Sequence, residues 1–139
     1  MTWDQHFIAL AKHIASRSKD PSSKVGAVIV DKDNRVVSTG YNGAPKGTSD
    51  MHQTRDQRLM RTLHAELNAV LFARRDLTGC TVYVTHHPCC RCAAVLAQVG
   101  IARVVHAPVL PAFAERWKDH MSEAQVIMQD SGIRRDCIG

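Results

Sequence analysis

The sequence predicts a three-layer α/β fold, a sheet with helices on both faces. Three observations carry this expectation. A capped helical pattern opens the chain, two strand-like runs follow one another at 25–30 and 35–39, and helical and strand patterns then alternate to the C-terminus. Adjacent strand runs close as an antiparallel hairpin, whereas alternation makes the later strands parallel with right-handed helical crossovers. At 139 residues the chain is expected to be one domain, residues 1–139, long enough to bury a core without staples.

Each element has a local reason. Thr2-Trp3-Asp4-Gln5 has the form of a capping box, with Thr2 as N-cap and Gln5 three residues on. Trp3, Phe7, Leu10, Ala11 and Ile14 recur at helical spacing, and the helix fades near Ser16-Arg17-Ser18. Asp20-Pro21-Ser22-Ser23 reads as a loop. Val25 to Val30 is an apolar, β-branched run that reads as a buried strand. Asp31-Lys32-Asp33-Asn34 is a turn, and Arg35 to Thr39 is the second strand. Gly40-Tyr41-Asn42-Gly43 ends the hairpin. It reads either as a plain turn or as a bend that brings Asn42 to a site, and spacing alone favours the turn.

Ala44 to Gln57, rich in glycine, proline and serine, reads as irregular. Arg55, Arg58 and Arg61 line one helical face, which is a solvated face or a nucleic-acid surface. Leu63, Leu67, Val70 and Leu71 are expected to be the buried face of a second helix reaching Ala73. Thr78-Gly79 is a turn, and Cys80 to Thr85 is a central strand ended by His86-His87-Pro88. A third helix spans about Cys90 to Val99, with Gly100 as its stop. Ile101 to His106 is a strand, and Pro108 and Pro111 bracket a loop. Trp117, Met121, Ala124 and Met128 mark a fourth helix that stops near Gly132, and Ile133 to Ile138 forms a short last strand.

Composition narrows the function classes. The 45% hydrophobic and 22% charged fractions are those of ordinary globular proteins. No apolar run approaches the roughly 20 residues that span a bilayer, so no membrane partner is expected. The N-terminus lacks a basic head and a small-residue cleavage site, so no signal peptide is expected. The five cysteines are an odd number, with Cys89, Cys90 and Cys92 crowded together. That speaks for reduced thiols, a metal and a cytoplasmic setting, and against a disulfide framework. The net charge of +5 is equally compatible with a solvated surface and with attraction of phosphates.

The chemistry gathers in Leu63-His64-Ala65-Glu66-Leu67-Asn68-Ala69 and Pro88-Cys89-Cys90-Arg91-Cys92. His64, Cys89 and Cys92 make three zinc ligands, which leaves a fourth position for water. Glu66 is a spare carboxylate able to move protons for that water. Positions two apart do not share a face in mid-helix, so His64 and Glu66 meet one metal only where the helix begins. Cys89 and Cys92 sit at another helix start, where thiolates are stabilised. A lone C-x-x-C also fits a redox pair or half a structural zinc site. The first leaves His64 and Glu66 unexplained, and the second wants another pair. Cys90 permits a shifted register, but Cys90 and Cys80 read better as small buried residues. Of His86 and His87, one is expected to pack and the other to line the mouth of the pocket; together they are also candidate ligands for a second metal.

H-x-E followed by P-C-x-x-C is the signature of the zinc-dependent nucleobase deaminases. The chain resembles the deoxycytidylate (dCMP) deaminases within the cytidine deaminase-like superfamily. The matching pieces are Ser18-Lys19-Asp20-Pro21, Val25-Gly26-Ala27-Val28-Ile29-Val30, Gly40-Tyr41-Asn42-Gly43, His64-Ala65-Glu66-Leu67-Asn68-Ala69, Tyr83-Val84-Thr85 and Pro88-Cys89-x-x-Cys92, covering about residues 3 to 106. The resemblance implies a five-stranded mixed sheet and one catalytic Zn2+ per subunit. The implied reaction is hydrolysis of dCMP to dUMP and ammonia, with Glu66 as the catalytic proton carrier. It implies that Asn42 contacts sugar or base and that the Ala65 backbone holds the pyrimidine edge. Ser18 and Lys19 are then the candidates for phosphate contacts. It also implies a homo-oligomer, hexamer or dimer, with dCTP and dTTP as possible effectors. His86-His87, and Ala107 to Lys118 with its Pro108, Pro111 and Trp117, depart from the family pattern; the second stretch is expected to shape the far side of the pocket, and the insert between Gly43 and His64 is short.

Two other readings stay in view. One is a deaminase of a modified cytosine nucleotide or of tRNA adenosine, which the arginines at 55, 58 and 61 keep open; salt-sensitive tRNA binding would favour the RNA substrate. The other is a zinc-stabilised nucleotide-binding regulatory domain without activity, in which Glu66 would have no purpose.

Overall fold

The computed structural model describes residues 1–49 and 54–139. The middle of the irregular stretch predicted at 44–57 therefore lies outside the described residues. One sheet of five strands organises the rest, in the order β2-β1-β3-β4-β5. The strands are β1 (Gly26–Val30), β2 (Val36–Tyr41), β3 (Thr81–Val84), β4 (Arg103–His106) and β5 (Arg134–Cys137). β1 pairs antiparallel with both β2 and β3, whereas β3, β4 and β5 run parallel. This is the expected mixed sheet with its N-terminal hairpin.

Helix α1 (Trp3–Ala15) covers one face of the sheet. Thr2 and Gln5 close the expected capping box at its start. Phe7, Ile8 and Ala11 pack on Val28, Val30, Tyr83 and Val105. A polar clasp fixes this helix to the sheet. Tyr83 Oη donates to Asp4 at 2.7 Å, and Arg103 holds both Asp4 oxygens at 2.8–2.9 Å.

The opposite face carries α3 (Ala65–Ala73), α4 (Cys90–Gln98) and α6 (Lys118–Asp130). Here Ala65, Ala69, Ala93, Leu96, Ala124 and Met128 meet Ala27, Ile29, Val82 and Val104. Two short helices, α2 (Arg55–Arg61) and α5 (Pro111–Arg116), flank the end of the sheet where the site lies.

Several expectations change. The buried face of α3 is Ala65, Glu66 and Ala69, not its leucines. Leu71 and Phe72 are exposed, and Leu63 precedes the helix in a bridge with Gly43. The reason is close approach. A Cβ on Gly40 would lie 2.4 Å from the Ala65 carbonyl oxygen and 2.5 Å from the Ala69 nitrogen, so β2 and the α3 backbone touch there, and the small side chains of Ala65 and Ala69 are buried at the contact. Gly40 and Tyr41 therefore belong to β2 rather than to a turn. Gly26 plays the same part on the other face, where its Cβ would meet the Ala11 carbonyl oxygen of α1. Pro111 opens α5 instead of closing a loop, because proline suits the first turn of a helix. Cys80 is buried as expected, but Cys90 is half-buried, its Sγ 3.4 Å from His120 Nδ1.

Candidate active site

The site forms where α3 and α4 begin, beyond the start of β1 and the end of β3. His64 caps α3 with extended backbone (φ −70°, ψ 156°), and Cys89 caps α4 in the same way (φ −75°, ψ 170°). Neither side chain bonds to its own helix; the two turn toward each other. His64 Nδ1 lies 3.3 Å from Cys92 Sγ and 3.5 Å from Cys89 Sγ. The three ligand atoms all lie within 4.8 Å of one another, and among the described residues this is the one such cluster. A tetrahedral zinc ion with bonds of about 2.0–2.3 Å holds its ligand atoms roughly 3.5–3.8 Å apart, so the donor set and its spacing fit zinc.

The electrostatics agree with a cation site. Cys89 is held low as a thiolate by the hydrogen bond from Cys92 and by His64 beside it. The shared hydrogen bond and burial push Cys92 up, so one proton serves both sulfurs. The hydrogen bond to Cys89 raises His64. Both helix starts turn their positive ends toward these sulfurs.

Glu66 is one residue into α3 and only 5% exposed. Burial pushes its carboxyl above the usual range, with the α3 backbone and His64 opposing in part. A carboxyl raised in this way holds its proton more readily than a free one and can pass it to a neighbour. His64, Cys89 and Glu66 line one cavity of about 200 Å3.

Asn42 also lines this cavity, and it is 6% exposed. Its Oδ1 accepts from the Val25 N–H at 2.9 Å, and its Nδ2 donates to the Ser23 carbonyl at 2.8 Å. Asn42 thus clamps the loop before β1 against the end of β2. Ser18 is buried, and its Oγ donates to the Asn42 carbonyl at 2.8 Å. Ser18 and Lys19 do not line the cavity, whereas Ala65 does.

The sequence reads Arg55 and Arg58 only as a solvated or nucleic-acid face, yet both line this cavity. Arg55 and Arg58 of α2 line the mouth, with Arg58 near Asp20 (3.8 Å) and Ser22 Oγ (3.4 Å). Phe113, Arg116 and Trp117 form a wall from α5 and the residue after it. Phe113 stacks on Trp117 at 6.0 Å and meets the His86 ring at 5.1 Å. This wall comes from the Ala107 to Lys118 stretch, whose departure from the family pattern points to the far side of the pocket.

His87 is 5% exposed, and its Nδ1–H donates to the Pro88 carbonyl at 2.8 Å. Its Nε2 accepts from Gln125 at 3.2 Å, and burial pushes its pKa down to about 4. His87 therefore packs as a neutral ring just behind the Cys89 segment, while half-buried His86 faces the aromatic wall. Among the described residues no helix is long and apolar enough to cross a membrane.

Comparison with known proteins agrees with this geometry. An uncharacterised deaminase from the luxG 3′ region of Aliivibrio fischeri is 45% identical over 133 residues, covering 94% of this chain and 90% of that protein. Human deoxycytidylate deaminase is 40% identical over 114 residues, covering 76% of this chain; the match spans 64% of the human protein's length. The dCMP deaminase of cyanophage S-TIM5, solved in complex with dCMP and dUMP, shares the fold, with a TM-score of 0.80 at 23% identity over 96% of this chain and 95% of that one. Residues 1–107 match the model of the cytidine and deoxycytidylate deaminase zinc-binding region, and the chain belongs to that family.

Proposed function

We propose that the protein is a zinc-dependent aminohydrolase that converts dCMP to dUMP and ammonia. The observation that carries this reading is the placement of Glu66, a buried carboxyl on the wall of the same cavity as a three-ligand metal cluster. A structural metal site has no use for such a group. Relatives named deoxycytidylate deaminase, at 40–45% identity, support the cytosine nucleotide as substrate.

Zinc held by His64, Cys89 and Cys92 would supply a Lewis acid that makes water a nucleophile near neutral pH. Glu66 accepts a proton from the attacking water and delivers it to N3 of the pyrimidine as C4 is attacked. It then carries a proton to the departing amine. The Ala65 backbone, first in α3, borders the path of the pyrimidine edge, and Asn42 holds the loop that faces the sugar. Burial raises the Glu66 carboxyl and so favours its proton-holding form, as a proton carrier requires.

The test is ammonia release by zinc-loaded protein from dCMP, dCTP, deoxycytidine, 5-substituted dCMP and tRNA. Turnover of dCMP is expected, and Glu66→Gln should keep one zinc per chain while losing at least about a hundredfold in kcat. A Glu66→Gln protein with full activity would remove Glu66 from the mechanism. Ammonia release from no substrate, with zinc bound, would favour the regulatory-domain reading.

The reading extends to assembly and setting. Exposed Leu71 and Phe72 on α3 support a homo-oligomer, hexamer or dimer, which sedimentation with and without dCTP and dTTP tests. The free cysteines support a reducing, cytoplasmic setting.

A further inference from the structure

The cavity grades from a buried floor to a charged rim. Glu66 and Asn42 are buried, whereas Arg55 and Arg116 are exposed on its lining. A base whose C4 reaches Glu66 therefore directs the rest of its molecule toward the arginines. The rim charge is unbalanced, its lining holding three guanidinium groups, of Arg55, Arg58 and Arg116, against the single carboxylate of Asp20, which stands by Arg58. Asp20 is already engaged, accepting from the Ser22 and Ser23 N–H groups at 2.8 and 2.9 Å and standing beside Arg58. Among the described residues, neither Arg55 nor Arg116 has a hydrogen bond or an ion pair. Arg116 is the last residue of α5, beyond the 107 residues that the family model matches. Phe113, seated between His86 and Trp117, packs α5 against the cavity that Arg116 lines.

We propose that α5 is a substrate-reading element in which Arg116, on the same cavity lining as Arg55, receives the phosphate of the nucleotide. The inference rests on the dCMP reading above and names the residue that distinguishes nucleotide from nucleoside. Guanidinium groups suit this task because their paired N–H donors match phosphate oxygens. Ser18 and Lys19, which the family pattern suggests for phosphate, do not line the cavity.

Steady-state kinetics on the zinc-loaded full chain test it. Because Arg116 is exposed and unpaired, Arg116→Gln should fold as the parent does, which a melting curve checks. KM for dCMP is expected to rise about ten- to hundredfold with kcat within threefold, the span expected for losing one charge-assisted contact. Arg116→Lys should recover part of the loss, and KM for deoxycytidine, or the inhibition constant of deoxyuridine, should not move. An unchanged KM for dCMP would overturn the assignment. So would an equal loss for nucleotide and nucleoside, or a fall in kcat with KM fixed, since those mark a structural wall. If the parent protein turns over no dCMP, the reaction itself has been misread; a parent that turns it over with Arg116→Gln unimpaired refutes the role of Arg116 alone.

Discussion

Replacing Gly40 with alanine tests whether sheet packing sets the geometry of the metal cluster. The new Cβ would lie 2.4 Å from the Ala65 carbonyl oxygen, 2.5 Å from the Ala69 nitrogen and 3.1 Å from the Ala69 Cα. All three are backbone atoms, so no side-chain rotation relieves the overlap. Ordinary contact begins near 3.4 Å, which requires α3 to retreat from β2 by about 1 Å. Overpacking of this kind costs about 1–3 kcal/mol, and a backbone clash belongs at the upper end. For a chain of this size that is a fall in Tm of roughly 10 °C. The retreat carries His64 and Glu66 with it, because they stand at the start of α3. Zinc distances tolerate about 0.2 Å, so affinity should fall roughly ten- to hundredfold. Competition with a chromophoric chelator, at a temperature where both proteins are folded, measures it. The control is Gly26→Ala, whose Cβ would lie 2.0 Å from the Ala11 carbonyl oxygen on the opposite face. It should cost at least as much stability and leave zinc affinity within about threefold. Unchanged zinc affinity in Gly40→Ala, or a larger loss in Gly26→Ala, would refute the link between the hairpin and the site.

Other expectations follow from single contacts. Cys92→Ala should lose zinc and stability together, as zinc analysis and denaturation show, because the metal's binding energy is also folding energy. Arg103 holds the Asp4 carboxyl below its usual range, so the stability from this clasp is full above about pH 4 and is lost as pH falls through the lowered native value. Asp4→Asn should therefore lower stability at pH 7 and flatten the acid limb of a urea-denaturation series; an unchanged limb would mean that the clasp contributes nothing. Neutral, buried His87, pushed down to about 4, should cost the fold stability as pH drops from about 6.5 toward 4, a slope that His87→Gln should reduce.

Much of this molecule is legible in its residues because the physics is local. The capping box of Thr2 and Gln5 needs only four positions, and the β-branched run before Val30 needs only its own composition. The metal group is legible for a similar reason. Helix starts must place a histidine and a glutamate two apart, and two cysteines three apart, whatever else the chain does. What sequence spacing misses depends on distant partners. The α3 stripe of leucines looks like a core face, yet Gly40 brings β2 so close that alanines occupy the contact and Leu71 turns outward. Pro111 looks like a loop marker until it is seen at the first turn of α5. Arg55 and Arg58 look like a solvated face, and only the position of α2 over the cavity gives them a place in it. The position of Ser18 under Asn42 is likewise a tertiary fact, set by a hydrogen bond spanning 24 residues.

The most direct measurement of the central claim is X-ray absorption at the zinc edge of the loaded protein. The account predicts two sulfur neighbours at about 2.3 Å and two lighter atoms at about 2.0–2.1 Å, one from His64 and one from exchangeable solvent. That exchangeable neighbour should persist in Glu66→Gln while ammonia release collapses. A third sulfur, or a fourth ligand supplied by the protein, would contradict the account.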